Sequence, residues 1–404
     1  MHAHVYVEGM HVPQSLIEGA LSGATKSDVS SEQGPQQPKT AEELEIERIA
    51  EGLNVCIKLV GCGGAGSNTV NRCFEDGLSD VQMLAINTDA KHLLTVKAQK
   101  KILIGKVTTR GLGAGARPEI GEKAAMENEP EIKDFLKDSQ IVFITAGMGG
   151  GTGTSGSFVA ARLSKETRAL TVGIVTLPFK SEGELRMENA MNGLSRLSKV
   201  CDTTIVIPND TLLELVPNLP VQAAFKVADE LLLQTIRGLT EMLTKAGLVN
   251  VDYADLRTIL NEGGVSLIGV GEGDGAAGER VEEAVEEALN SPLLGKIDLK
   301  EARGALVRVV GGPDMNIEEA SDAVKIITDK ISRPGARVIW GCSVEKEMEG
   351  RVKVLLIVTG ARSQYVLMRN GEDPVMERTS EDYRGQVNVP PNIHQDADLS
   401  MFVR

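Results

Sequence analysis

The first stretch to consider is Gly147–Gly156, which reads GMGGGTGTSG. The apolar run Ile141–Ala146 just before it predicts a buried strand, and Ser157–Leu163 just after it carries apolar residues at helical spacing. The stretch is therefore predicted to be a loop between a strand and a helix. Glycines let the backbone approach a ligand closely, and free N–H groups beside a helix N-terminus suit a phosphate. We interpret the stretch as a phosphate-binding loop rather than a mobile surface turn.

Two more glycine-rich segments follow predicted strands. Gly61–Asn68 (GCGGAGSN) comes after the strand Val55–Val60 and contains GxGxxG in a strand–turn–helix context. Gly111–Pro118 (GLGAGARP) comes after the strand Lys101–Gly105 and before the helix Glu119–Asn128. Three such segments at the carboxyl ends of neighbouring strands could surround one triphosphate. The sequence contains no GxxxxGK[ST] motif, which excludes a P-loop.

The end of the second strand leaves a different function open. The predicted strand Gln82–Ile86 ends at Asn87-Thr88-Asp89, and an acidic residue at this place is what a dinucleotide-dependent enzyme uses to bind a ribose. A nucleotide-binding oxidoreductase of the Rossmann type is therefore one alternative. A dinucleotide site needs only one glycine-rich phosphate loop, so the third segment argues against it.

Composition excludes several classes of protein. The chain has 404 residues, enough for two domains with substantial cores, and a net charge of −14. This charge argues against nucleic acid or an anionic membrane as a direct partner. No run approaches the apolar length of a membrane-spanning helix, and no signal peptide is recognisable. The five cysteines form no CxxC pair, and we predict that they are reduced core residues of a cytoplasmic protein.

The stretch at Gly147–Gly156 resembles the signature of the tubulin/FtsZ family, in which a run of the form Gly-Gly-Gly-Thr-Gly-Thr-Gly wraps the phosphates of GTP. The match runs from Gly149 to Thr154 and ends at Ser155, where the family usually has Gly. Arg117 likewise stands where the family commonly has Asn. Six motifs match in order over roughly residues 45–360, and the chain looks most like the archaeal FtsZ members of the family.

The resemblance implies an α/β fold with a doubly wound parallel sheet. Its GTP-binding domain would span residues 45–220, its long central helix 221–246 and its smaller α+β C-terminal domain 247–360. Apolar residues on nearly every side of 221–246 predict that this helix is buried. Residues 1–44 are predicted to be a disordered N-terminal extension and residues 361–404 a flexible tail. A short acidic helix, Ala41–Gly52, is predicted to lead into the fold.

The resemblance also implies which residues bind GTP. They come from the three glycine-rich segments, two strand ends, a turn with the helix after it, and the start of the central helix: Gly63, Gly64, Ala65, Gly66, Asn68, Asn87, Ala114, Gly115, Gly149, Gly150, Gly151, Thr152, Gly153, Thr154, Glu182, Arg186, Asn209, Phe225 and Asp229.

Two of these residues have simpler explanations when periodicity is considered alone. Phe225 then fits core packing, and Glu182 fits the acidic first turn of a helix. In the family, the residue matching Phe225 stacks on guanine and the one matching Asp229 binds the edge of the base. A carboxylate can accept hydrogen bonds from both N1–H and the N2 amino group of guanine. Adenine has no such N1–H, so Asp229 favours GTP over ATP.

The segment Gly247–Arg257 has two possible interpretations. Read alone, it is a helix N-terminus with an Asn or Asp cap. The resemblance instead implies that Asn250, Asp252 and Asp255 act on the GTP of the neighbouring subunit, with both carboxylates on one helix face addressing one water. The implied activity is GTP hydrolysis that depends on polymerisation into a head-to-tail homopolymer. Protein residues form no recognisable metal site, so Mg²⁺ is expected to be held by phosphates and waters.

Partners and location follow from the same resemblance. The apolar Met401–Val403 segment at the end of a polar tail is expected to dock a membrane-anchoring division adaptor. We expect no nucleic-acid binding and no direct membrane insertion, and a cytoplasmic location at the division site. A second alternative is a GTP-binding regulator that neither polymerises nor hydrolyses GTP. Light scattering on addition of GTP would separate it from a filament-forming protein.

Overall fold

A computed structural model describes residues 55–361, except 216–220, 246, 262–263, 277, 296 and 332. The predicted N-terminal extension, the acidic helix Ala41–Gly52 and the C-terminal tail lie outside the described residues. The strands are β1 (Ile57–Cys62), β2 (Val81–Asn87), β3 (Lys100–Leu103), β4 (Ile141–Gly147), β5 (Leu170–Leu177), β6 (Thr203–Pro208), β7 (Val265–Gly273), β8 (Gly304–Gly311), β9 (Arg337–Val344) and β10 (Val352–Thr359). The helices are α1 (Gly63–Glu75), α2 (Ala90–Thr95), α3 (Pro118–Glu127), α4 (Glu129–Leu136), α5 (Gly151–Glu166), α6 (Glu184–Val200), α7 (Asn209–Leu215), α8 (Val221–Thr244), α9 (Tyr253–Leu260), α10 (Glu279–Leu289) and α11 (Ile317–Lys330).

The first six strands are parallel and lie in the order β3-β2-β1-β4-β5-β6. Successive residues of a strand point to opposite faces, and here both faces are covered by hydrophobic side chains. Leu59 of β1 belongs to one buried cluster, whereas Val60 belongs to the other. Burial on both faces explains why these strands are nearly continuous apolar runs. The predicted doubly wound parallel sheet is confirmed.

The second half of the chain continues the same sheet. Strand β7 pairs with β6 in parallel at two positions, Thr204 with Val265 and Ile205 with Ser266. Beyond it, β10 is antiparallel to both β7 and β8, and β9 is parallel to β8. This mixture of directions is the α+β pattern predicted for the C-terminal part.

Helix α8 packs within a core that the two halves share. Its residues Leu232, Ile236 and Leu239 are buried in one cluster with residues of β1, β2, β4, β5 and β6 and with Leu306 and Ile357 of the second half. The prediction that this long helix is buried between other elements is confirmed. Among the described residues, no helix is both long and apolar enough to cross a membrane.

Two of the three glycine-rich segments are mostly helical, which corrects the prediction of an extended loop over Gly147–Gly156. Helix α5 begins at Gly151 and α1 begins at Gly63, so only residues 148–150 connect β4 to α5. Glycine is a poor helix former, but these helices pack directly on other backbone segments. A Cβ atom on Gly66 would lie 2.3 Å from the Thr145 carbonyl oxygen. Close packing therefore requires glycine inside the helices.

The five cysteines are all free, and four of them are buried. Burial raises the pKa of the Cys73 and Cys201 thiols to about 12. Both therefore remain neutral thiols at physiological pH and act as small apolar core residues.

Candidate functional site

A cavity of about 440 Å³ opens at the carboxyl ends of the parallel strands. Asn87 at the end of β2, Gly147 at the end of β4 and Asn209 just after β6 all line it. Because β2 and β4 lie on opposite sides of β1, the strand order reverses at this point. Open α/β sheets bind ligands at such a reversal, outside the carboxyl ends of the strands.

Most of the residues predicted to bind GTP line this cavity. They are Gly64, Ala65, Asn68, Asn87, Ala114, Gly150, Gly151, Thr152, Gly153, Glu182, Arg186, Asn209, Phe225 and Asp229. The structure therefore brings together side chains from both ends of a segment more than 160 residues long. Their contacts with a nucleotide remain a prediction.

Five predicted residues, Gly63, Gly66, Gly115, Gly149 and Thr154, are not part of the lining. The Gly149 N–H donates to Thr154 Oγ1 at 2.9 Å, so these two groups satisfy each other inside the protein. Gly149 has φ of +96°, and a Cβ there would lie 2.6 Å from a backbone oxygen. Gly149 and Thr154 therefore shape the turn at the start of α5 rather than face the cavity.

The N-termini of α1 and α5 present uncapped backbone donors. Neither N-cap residue, Cys62 or Gly150, supplies a side-chain hydrogen bond to the first turn of its helix. The first N–H groups of a helix need an outside acceptor, and the helix dipole favours an anion there. Asn209 adds a buried Oδ1 atom that has no hydrogen-bond partner within the described residues. These features fit a phosphate-bearing ligand with donors of its own.

The other end of the cavity is built by the first turns of α8. Phe225 is 43% exposed, and its ring meets Phe179 edge-on at a centroid distance of 5.1 Å. Simple core packing is therefore the wrong explanation for Phe225. Ala228 and Leu232 share its helix face and also line the cavity. A partly exposed aromatic ring beside apolar side chains suits a flat, hydrophobic ligand group.

Asp229 lies beside this apolar surface with no hydrogen-bond partner among the described residues. Burial raises the pKa of its carboxyl to about 6, and the positive charge of Arg72 opposes the shift. A partly buried carboxylate without a partner is costly. Donors supplied by a ligand would remove that cost.

Glu182 and Arg186 form an ion pair of 3.0 Å at the rim. Glu182 lies in a 3₁₀ turn (Lys180–Glu182), whereas α6 begins only at Glu184. Its Oε1 accepts from the Phe179 N–H at 2.9 Å. The explanation of Glu182 as a first-turn residue of the following helix is therefore wrong, because it closes the preceding turn and orients Arg186.

Several lining residues were absent from the predicted GTP-binding set, and among them only Asp89 had been considered, as the ribose-binding residue of the oxidoreductase alternative. They are Thr88, Asp89, His92, Gly113, Ala116, Gly147, Met148, Thr176, Pro178, Ala228 and Leu232. Ala228 and Leu232 follow Phe225 at helical spacing, so periodicity could have found them. Thr88 and Asp89 directly follow Asn87 at the strand end. His92 carried no signal beyond its position three residues after a capping Asp.

Asn250, Asp252 and Asp255 do not line the cavity. Asp252 caps α9, because its Oδ1 accepts from the Asp255 N–H at 2.7 Å. Asn250 Oδ1 accepts from the Gly247 N–H at 2.7 Å. The helix-cap interpretation of this segment is thus confirmed for Asp252. Both carboxylates are nevertheless exposed, and Asp252 Oδ2 has no partner among the described residues.

A contact of the first residue of α9 shows at which edge of the parallel sheet this helix begins. The Tyr253 hydroxyl donates to the Gln140 carbonyl at 3.2 Å, and Gln140 directly precedes β4. The cavity lies at the other end of β4, at Gly147. A strand of 7 residues is about 23 Å long. Asp252, next to Tyr253, therefore lies at the amino edge of the sheet, opposite the cavity.

Comparisons with known proteins agree with this geometry. Residues 56–217 match the model of the Tubulin/FtsZ family, GTPase domain, and residues 264–362 match that of the FtsZ family, C-terminal domain. The fold and the site thus define a GTPase of the tubulin/FtsZ class.

Individual relatives narrow the class further. Cell division protein FtsZ 1 of Archaeoglobus fulgidus is 47% identical over 358 residues, which cover 89% of this chain and 96% of the relative. The protein of the same name from Methanocaldococcus jannaschii is 50% identical over 323 residues, covering 80% and 88%. A solved structure, the FtsZ dimer of M. jannaschii, superposes with a TM-score of 0.75 at 49% identity, covering 80% of this chain and 93% of that one. The chain belongs to the FtsZ family of cell division GTPases, and neither alternative, oxidoreductase or non-polymerising regulator, is favoured.

Proposed function

We propose that this protein assembles head to tail and hydrolyses GTP at the contact between consecutive subunits of a filament that builds the division ring. The observation that carries the proposal is the separation of two half-sites. The nucleotide cavity lies at the carboxyl edge of the sheet, and the exposed carboxylates of Asp252 and Asp255 lie at the amino edge.

The length of α8 also supports the separation of the two half-sites. Phe225 and Asp229 near its start line the cavity, and its 24 residues span about 36 Å before the segment that carries Asp252. A subunit's own carboxylates cannot reach its own nucleotide across this distance. A head-to-tail contact would bring them to the nucleotide of the next subunit, and repetition of such a contact produces an open filament.

Guanine is the base that suits the apolar end of the cavity. The exposed ring of Phe225 offers a stacking surface, and the Asp229 carboxylate offers two acceptor oxygens. Guanine supplies two adjacent donors to such a carboxylate, whereas adenine would leave it unpaired. An unpaired, partly buried carboxylate would cost binding free energy in a complex with ATP, and this cost would make the site selective for GTP.

The triphosphate would bind at the uncapped N-termini of α1 and α5, with Arg186 adding positive charge at the rim. When bound, Mg²⁺ would neutralise charge on the phosphates. Among the described residues, no group of three or more His, Cys, Asp or Glu side chains could hold a metal ion by itself. Of the carboxylates at the cavity, Glu182 uses both oxygens, on the Phe179 N–H and Arg186, and Asp89 uses one on the His92 N–H. We therefore propose that Mg²⁺ is held mainly by phosphates and waters.

Large apolar side chains are exposed at both edges that would meet. Leu112, in the segment before α3, is 86% exposed, and Leu248, in the segment before α9, is 59% exposed. Exposed apolar groups at two opposite surfaces suit a contact between copies of the chain.

Sedimentation with GTP or GDP, with phosphate release followed in parallel, tests this proposal. Filaments should pellet with GTP, and the rate of phosphate release per subunit should rise above a threshold protein concentration. A rate per subunit that stays constant from well below to well above that threshold would overturn the shared site.

We further propose that the C-terminal tail links the filament to a membrane-anchoring adaptor at the division site. The apolar Met401–Val403 segment supports this, although it lies outside the described residues. Deletion of the residues after Pro391 should leave assembly and GTP hydrolysis intact in vitro and abolish localisation in cells. Normal division rings formed by the deletion variant would contradict the proposal.

A further inference from the structure

The imidazole of His92 lies between two polar residues of the cavity. Its Nδ1 is 3.1 Å from Asn87 Nδ2, and its Nε2 is 2.9 Å from Asn68 Oδ1. Asn87 is buried at the end of β2, whereas Asn68 is exposed on α1 and lines the cavity. His92 thus connects two separate elements of the nucleotide site through side chains alone.

The direction of these hydrogen bonds follows from the backbone. The Asp89 N–H donates to Asn87 Oδ1 at 3.2 Å, so the amide nitrogen of Asn87 is the atom that faces His92. An amide nitrogen only donates, and His92 Nδ1 must therefore accept. A neutral imidazole that accepts at Nδ1 carries its proton on Nε2. His92 consequently donates to Asn68 Oδ1.

These two hydrogen bonds of His92 determine which group of the Asn68 amide faces a ligand. Its oxygen is engaged by His92, so its NH₂ group, which has no partner among the described residues, is left for the cavity. Phosphate and ribose oxygens accept hydrogen bonds. An Asn68 amide in the reverse orientation would present an acceptor to them and lose the interaction.

We propose that His92 is a positioning residue that orients the Asn68 amide, so that the cavity presents a donor to an oxygen of the nucleotide. This inference rests on the proposed binding of GTP. His92 itself is half-buried, and its backbone is held by the Asp89 side chain, which accepts from the His92 N–H at 3.0 Å.

The test compares two substitutions at His92 by calorimetric titration with GTP. His92→Leu removes both hydrogen bonds and should weaken GTP binding roughly 3- to 10-fold, the effect of one lost neutral hydrogen bond. His92→Gln supplies one acceptor and one donor, as neutral histidine does, and should restore most of the affinity. In steady-state hydrolysis the loss should raise KM and leave kcat nearly unchanged.

Double-mutant cycles test whether His92 acts by orienting the Asn68 amide or only by filling space beside it. His92→Leu should have almost no further effect once Asn68→Ala has removed the amide, but its effect should add to that of Asp229→Ala at the other end of the cavity. Should His92→Leu fail to fold, His92→Phe, which retains a ring, takes its place in the cycle.

The outcomes are distinguishable. Full additivity with Asn68→Ala, or wild-type affinity in both His92→Leu and His92→Phe, overturns the role of His92 while leaving GTP binding intact. Absence of GTP binding by the wild-type protein overturns the proposed function and this inference with it.

Discussion

The two edges of the parallel sheet differ in what they can do chemically. The carboxyl edge carries a cavity with uncapped helix N-termini, an exposed aromatic ring and an unpaired carboxylate. The amino edge carries the exposed carboxylates of Asp252 and Asp255 on a capped helix, and neither lines the cavity. We propose that the first edge binds the nucleotide and that the second orients a water on the nucleotide of the next subunit.

In the proposed mechanism each subunit carries two incomplete sites rather than one complete one. Binding requires only the carboxyl edge, so an isolated subunit should bind GTP. On the mechanism proposed above, hydrolysis requires both edges and therefore two subunits. Substitutions at the two edges should accordingly have separable effects.

The largest effect is expected for the carboxylates at the amino edge. Asp255→Asn and Asp252→Asn should each reduce assembly-dependent phosphate release by about 100-fold or more, as general-base positions do, with GTP affinity unchanged. Asn at position 252 is a matched substitution because it retains the oxygen that caps α9. Mixing either variant with wild-type protein should reduce activity by more than dilution. A variant that loses GTP binding as much as hydrolysis would contradict the assignment of these two functions to different edges of the sheet.

The second prediction separates glycines that serve the fold from glycines that serve the site. A Cβ on Gly66 would lie 2.3 Å from a backbone oxygen, whereas one on Gly150 meets nothing within 4 Å. Gly66→Ala should lower the free energy of unfolding by about 3 kcal/mol or prevent folding. Gly150→Ala should unfold like the wild type in urea and weaken only GTP binding. Equal stability of the two variants would show that the helices can move apart.

These glycines also illustrate how far the sequence was informative. The strand–turn–helix pattern around Gly61–Asn68 is local, and it correctly located the edge where the cavity lies. Whether a given glycine faces a ligand or another backbone depends on which segment packs against it. Gly66 is opposed by Thr145, which is distant in sequence. That information is absent from any local pattern.

The same limit applies to charged and polar side chains. Asp229 could be placed on one helix face with Phe225, but its raised pKa comes from burial by surrounding elements and is moderated by Arg72 of α1. His92 was missed because its partner Asn68 is 24 residues away. Asp252 could be recognised as a helix cap from sequence alone, whereas its distance from the cavity required the contact between Tyr253 and Gln140.

A smaller effect is expected at Asp229. Asp229→Ala should weaken GTP binding by about 1.5–3 kcal/mol, the value for a hydrogen-bond partner that carries charge. Asp229→Asn retains one acceptor oxygen and should lose less. Wild-type affinity should fall as the pH drops through about 6, because the carboxyl becomes protonated, and the affinity of both variants should depend less on pH. An unchanged affinity of Asp229→Ala in calorimetry would show that the carboxylate does not contact the base.

The folding stability of the nucleotide-free protein should rise as the pH falls, whereas its affinity for GTP should decrease. The Asp229 carboxyl has its pKa raised from 3.8 to about 6 by burial, so the folded chain binds this proton more tightly than the unfolded chain. Its ionisation therefore destabilises the nucleotide-free protein at neutral pH, and the destabilisation disappears as the pH falls from about 6 towards 4. Asp229→Asn should melt at a higher temperature than the wild type at pH 7.5, and the gap should narrow near pH 5. A variant that melts lower at pH 7.5 would contradict this account.

The smallest effect concerns the apolar side chains at the two edges. Leu112→Ser and Leu248→Ser should each raise the threshold concentration for GTP-induced sedimentation about 5-fold, equivalent to about 1 kcal/mol of apolar burial. Met126→Ser is the matched control, since Met126 is 48% exposed in the last turn of α3, away from the cavity. If Leu112 of one subunit packs against Leu248 of the next, the double variant should lose less than the sum of the single losses. Additive losses would instead mean that the two leucines contact different parts of the interface, and an unchanged threshold in both single variants would remove these surfaces from the filament contact.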